Sequence, residues 1–99
     1  MWAVLFASAT KAEVRYRKTS AHNQITVEDS GGYRLLRFNG SMETRMWTRI
    51  PIYGHFEYTE YFQMPLLWNP HAKRVLMIGL GGGSTFRAFN NYYPDIHMD

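Results

Sequence analysis

The sequence contains no cysteine, which excludes a disulfide framework, a thiolate nucleophile and the zinc sites built on Cys ligands. Net charge is also scarce: 11 Lys and Arg against 8 Asp and Glu leave +3 at neutral pH. A nucleic-acid reader gathers its cations on one helix or stripe. Here the cations between Lys11 and Arg49 are spread along alternating segments that also carry Glu13, Glu28, Asp29 and Glu43, the pattern of a solvated face, so no nucleic-acid partner is expected. Long apolar runs are missing. The largest, residues 1–9 and 75–80, fall far short of the roughly 20 residues that cross a bilayer; no membrane partner is expected, and the cytoplasm is the expected compartment. Repeats, low-complexity tracts and Ser/Pro linkers are absent as well. His22, His55, His71 and His97 lack the i, i+4 or carboxylate-paired spacing of a metal site, so no metal is assigned. Ser30 and Ser84 adjoin glycine but stand in no Gly-x-Ser-x-Gly elbow.

What is present is a chain of 99 residues with 45% hydrophobic and 16% aromatic content, the composition of one small domain that packs a core. Residues 1–9 have two readings: the tail of an apolar export signal ending at Ala7-Ser8-Ala9, with no positive region ahead of it, or an edge strand. Residues 1–19 are set apart on that basis.

From Gln24 the period is two. Ile25 and Val27 alternate with Gln24, Thr26 and Glu28; Asp29-Ser30-Gly31-Gly32 makes a turn; and residues 33–38 return as a second strand. Asn39-Gly40 supplies the two positive-φ residues of a type I′ turn, and residues 41–47 run back as a third strand. The first domain, residues 20–53, is thus expected to be an antiparallel β-meander. In residues 55–68 the apolar groups Tyr58, Tyr61, Phe62 and Leu66 fall on one face of a helix. Pro65 is expected to kink that helix and Asn69-Pro70 to end it. The aromatic set Tyr58, Tyr61, Phe62 and Trp68 is read as core packing, with a stacking platform for bases or an adenine ring as its alternative.

The most informative segment follows. Residues 75–78 are apolar at every position, as a parallel strand buried on both faces requires. Next come Gly79-Leu80-Gly81-Gly82-Gly83-Ser84-Thr85, and Phe86, Phe89 and Tyr93 then give helical spacing. Glycines between a strand and a helix N-terminus let backbone approach a cofactor closely, while unpaired helix N–H groups attract negative or electron-rich atoms. Gly79, Gly81 and Gly83 form GxGxG, a pattern similar to S-adenosylmethionine-type folds, and no Lys-Ser/Thr follows to make a P-loop. A tight turn needed only for strand-to-helix packing is the alternative reading.

Three motifs in order resemble the spermidine synthase (polyamine aminopropyltransferase) family. His22-Asn23-Gln24-Ile25-Thr26-Val27-Glu28 resembles its Tyr-Gln-x-Ile-x-Val segment, residues 36–43 (LRFNGSME) resemble its Leu-x-Leu-Asp-Gly-x-x-Gln turn, and residues 75–87 (VLMIGLGGGSTFR) resemble its strand-glycine-helix motif. The resemblance implies an α+β to α/β fold: a small β-domain followed, over residues 54–99, by the first β-α unit of a Rossmann-like, class I methyltransferase-type fold. It also implies that Gln24, Gly79, Gly81, Gly82 and Gly83 contact the nucleoside donor, either decarboxylated S-adenosylmethionine or S-adenosylmethionine as co-substrate. Polyamine and nucleoside donor are then the small-molecule partners, and the β-domain mediates homo-oligomerisation. Glu43 stands at the glutamine of the Asn-Gly turn and has two readings, a polyamine ligand or a solvent-facing strand carboxylate. Gly82 replaces an aspartate of the family loop, and Gln63 a histidine. The family's ribose-binding acid falls just beyond Asp99 and its catalytic aspartate further on, so the 99 residues are expected to act as an N-terminal piece without aminopropyl transfer, and no catalytic residue is assigned; the alternatives are an S-adenosylmethionine-dependent methyltransferase-like protein and a non-catalytic nucleoside-binding or oligomerisation module.

Overall fold

The computed structural model describes residues 11–99; the export reading of residues 1–9 lies outside the described residues. Four antiparallel strands, β1 (Glu13–Thr19), β2 (Gln24–Ser30), β3 (Tyr33–Phe38) and β4 (Ser41–Trp47), form a sheet in sequential order. The expected meander is therefore present, and its Asn39-Gly40 turn has both central residues at positive φ, 52° and 83°, as a type I′ turn requires. The first turn is tighter than expected. Asp29 pairs with Arg34 and Ser30 with Tyr33, so only Gly31 and Gly32, both at positive φ, lie between β2 and β3.

β1 adds a strand that the period-two pattern did not mark. Every residue of EVRYRKT is exposed, and a strand that buries neither face leaves no hydrophobic alternation to read. Charge fastens it: the Asp29 carboxylate accepts from Arg15 Nε at 2.7 Å and from Arg34 Nε at 2.8 Å, which ties β1, β2 and β3 across one face. Those hydrogen bonds, Arg34's foremost and Arg15's next, hold the Asp29 carboxyl far below the usual carboxylate range.

After the sheet the structure departs from the single kinked helix. Glu57–Gln63 is a 3₁₀ helix and Pro65–Trp68 a separate helical turn, α1. Pro65 starts α1 instead of bending a longer helix, because its fixed φ and missing N–H are tolerated at the first helical position, where the amide has no partner in any case. Helical structure ends at Trp68, before Asn69-Pro70, as expected. The core reading of the aromatics is corrected: Tyr58, Tyr61, Phe62 and Trp68 are all at least half exposed.

Chain 73–99 forms a parallel βαβ arrangement in which β5 (Arg74–Val75) and β6 (His97–Met98) flank α2 (Ser84–Tyr92). The pairing runs slightly beyond the strands, since Asp99 N–H donates to Val75 O and Met77 N–H to Asp99 O, each at 2.9 Å. Burial on both faces is not found. Leu76 is 74% exposed and Ile78 94%, because among the described residues β6 is β5's sole sheet neighbour. α2 turns Thr85, Ala88 and Phe89 inward, with Phe86 and Tyr93 half-buried, and Leu35 from β3 is the other buried apolar residue among the described residues.

Candidate functional site

The glycine loop meets the meander at β4. Gly79, Gly81 and Gly83 all sit at positive φ, so the GxGxG spacing corresponds to a backbone that enters the left-handed region at every second residue, where a side chain is strained. Gly82 is a glycine for a different reason. Its N–H donates to Thr44 Oγ1 at 3.0 Å, and a Cβ there would lie 2.5 Å from the Cβ and Cγ2 of Thr44. An aspartate cannot stand at Gly82 while Thr44 keeps this seat. Gly83 ends the loop as the N-cap of α2, without a side-chain cap, and Ser84 Oγ is buried with no hydrogen-bond partner among the described residues.

Between loop and sheet lies a cleft of about 320 Å³. One wall is the backbone of residues 79–82 with Met77, Ser84 and Thr85; the opposite wall is Glu43 and Thr44 of β4; Phe38, Phe56, Tyr58 and Phe62 complete it. That adjacent residues share a wall is unusual, since neighbours on a regular strand face opposite sides of the sheet. A β-bulge explains it. β3 pairs Leu36 with Thr44 but Arg37 with Met42, leaving Glu43 as the extra residue, and a bulge re-aims the side chains around it.

Supporting contacts hold the aromatic wall in place. The Arg45 guanidinium lies 5.2 Å from the Tyr33 ring centroid and 4.9 Å from that of Phe56, a cation between two π-faces that fixes Phe56 against β4. Further along, Tyr93 OH donates to Gln63 Oε1 at 2.8 Å, Gln63 Nε2 donates to Glu60 Oε2 at 2.8 Å, and the other Glu60 oxygen meets His55 Nε2 at 2.5 Å. Gln63 is thus occupied in fastening α2 to the 3₁₀ helix. Beside this chain the Tyr92 phenol is pushed above its ordinary value, first by burial and then by Tyr53.

The fold gathers four residues singled out from sequence, Gly79, Gly81, Gly82 and Glu43, around one cleft. Gln24 and Gly83 are not on its walls. Gln24 begins β2, where its N–H donates to Asn39 Oδ1 and its carbonyl accepts the Asn39 N–H, both at 2.9 Å. Asp99 lies outside the cleft too, its carboxylate engaged by Arg74 at 2.8 Å and His97 at 3.0 Å; Arg74's hydrogen bond holds it below the usual carboxylate range. Sequence reasoning missed Thr44, Phe38 and Phe56. Thr44 leaves no sequence signal, because its partner Gly82 is 38 residues away. Among the described residues no group of three His, Asp or Glu side chains is placed to hold a metal ion, and no helix is long and apolar enough to cross a membrane.

No protein-family model matches the chain, and no solved structure matches it. Among curated proteins it is 32% identical over 101 residues to the polyamine aminopropyltransferase of Vibrio vulnificus (strain CMCP6), an alignment covering 93% of this chain and 32% of that protein. It is also 32% identical over 73 residues to the polyamine aminopropyltransferase of Chromobacterium violaceum, covering 73% of this chain and 28% of that protein. The chain thus spans about a third of the length of the curated relatives it matches. With the motif order at residues 22–28, 36–43 and 75–87 and a meander whose last strand seats the glycine loop, the chain belongs, over the stretch it spans, to the spermidine synthase (polyamine aminopropyltransferase) family.

Proposed function

We propose that this chain forms the donor side of a polyamine aminopropyltransferase, in which the cleft between residues 79–82 and β4 holds the nucleoside end of decarboxylated S-adenosylmethionine. One observation carries the reading: the left-handed glycine backbone, the open start of α2 and the aromatic wall converge on a single cleft of about 320 Å³. In this reading the bare backbone at Gly79 and Gly81 lets the sulfonium-bearing nucleoside approach, and the amides at the α2 start favour the electron-rich oxygen and nitrogen atoms of its nucleoside. The aromatic wall offers ring faces to the adenine. βα-loop placement supports the same reading, since ligands of parallel sheets sit at the carboxyl ends of the strands, and the fold that follows β5 is read as the opening unit of a Rossmann-like domain.

In the complete reaction the amine of putrescine attacks the methylene beside the sulfonium, the C–S bond breaks, methylthioadenosine leaves, and the amine proton passes to a carboxylate base. No residue of the cleft is assigned as that base. The 99 residues are therefore proposed to bind donor or product without turning over. Adding methylthioadenosine to the purified chain is expected to raise its melting temperature, because a ligand of the folded state must; an unchanged melting curve at millimolar nucleoside overturns the reading.

A second reading, a methyltransferase-like site for intact S-adenosylmethionine, is favoured by the absence of an anion at Gly82, where the loop carries nothing to repel a methionine carboxylate.

A further inference from the structure

Glu43 is the one charged side chain among the residues that line the cleft. The residue is half-buried, and among the described residues its carboxylate takes part in no ion pair, although the other acidic residues of the sheet, Glu13, Glu28 and Asp29, are all paired with arginines. It sits at the bulge of β4 and shares a wall with Thr44, opposite the glycine loop. Thr44 also determines that no side chain can stand at Gly82. The same two-residue step of β4 therefore removes the room for an anion on the loop and places one on the facing wall.

We infer that Glu43 is the counter-ion for a primary ammonium group, so that the cleft selects a nucleoside carrying a short aminoalkyl arm over the same nucleoside without it and over one ending in an amino acid. A half-buried carboxylate without a partner favours a cation that brings its own hydrogen-bond donors, and the ring faces of Phe56, Tyr58 and Phe62 add the attraction that aromatic walls have for ammonium groups. A ligand ending in a carboxylate meets the opposite sign there. The inference rests on the donor-cleft reading and assigns its charge selectivity to this chain's own residue.

Calorimetric titration of the 99-residue chain with methylthioadenosine, decarboxylated S-adenosylmethionine and intact S-adenosylmethionine tests it. The decarboxylated donor is expected to bind about tenfold more tightly than methylthioadenosine, as one charge-assisted contact allows, and intact S-adenosylmethionine more weakly than the decarboxylated donor. In Glu43→Gln that preference, read as the ratio of the two affinities, falls to about one; Glu43→Asp keeps part of the preference, which separates charge from side-chain bulk. A preference that survives Glu43→Gln, or a Glu43→Gln chain that loses both ligands equally with its circular dichroism unchanged, overturns the counter-ion role and leaves the donor cleft standing. Failure of every nucleoside to bind the parent chain overturns the donor cleft and the counter-ion together.

Discussion

Gly82 and Gly79 belong to one loop yet are glycines on different physical grounds, and substitution separates them. At Gly82 a methyl group would lie 2.5 Å from Thr44 carbons, an overlap that β4 cannot relieve by turning a flexible side chain. Gly82→Ala is expected to cost about 1–3 kcal/mol, as overpacking does, and to detach the loop from β4. At Gly79 a methyl group meets nothing within 4 Å and faces only the strain of φ +91°, so Gly79→Ala is expected to cost about 1 kcal/mol, near the lower end for a left-handed residue. Urea midpoints of the two variants check this; equal losses mean that the Thr44 seat is not what holds the loop. The GxGxG spacing was legible in the sequence. Which glycine serves backbone conformation and which serves contact was not, since that depends on a threonine 38 residues away.

At the scale of elements, ion pairs tie strands of the meander to one another. Asp29 binds Arg15 on β1 and Arg34 on β3, and with a folded-state carboxyl held below its unfolded value it contributes stability above about pH 4, the unfolded value. That contribution is lost progressively as pH falls below this point towards the folded value. Asp29→Asn is expected to melt at a lower temperature than the parent at pH 7, with the gap narrowing as the pH is lowered from 4 to 2. A gap that stays constant over that window rules out the linkage. β2, β3 and β4 could be read from alternation and from the Asn39-Gly40 turn, because they are half-buried along most of their length. β1 could not, since every residue of it is exposed. The break at Pro65 was legible as a break, but its sense was reversed: proline opens α1, where its missing N–H has no partner to lose.

The whole molecule is open for its size. Among the described residues only Leu35, Ala88 and Phe89 are buried apolar residues. Leu67, Trp68, Leu76, Ile78 and Leu80 are each about two-thirds or more exposed. Because the heat capacity of unfolding follows the apolar surface that unfolding newly exposes, the 99-residue chain is expected to show a value below the roughly 1.2–1.5 kcal/mol/K of a compact domain of about 100 residues. Scanning calorimetry measures it directly, and a full-sized value contradicts the open packing described here.

Short-range sequence was enough for the local devices: two hairpin turns, the glycine loop ahead of α2, and the family to which their order belongs. Each is a matter of a few neighbouring φ and ψ angles or of short-range periodicity, which neighbouring residues are sufficient to dictate. Tertiary structure alone decided which of those residues share a cleft, that Glu43 joins Thr44 on one wall through a bulge, and that Gln24 and Gly83 stand apart from it. Those outcomes turn on the register between β3 and β4 and on the seating of Gly82 against Thr44, contacts between segments distant in the chain that no local pattern encodes.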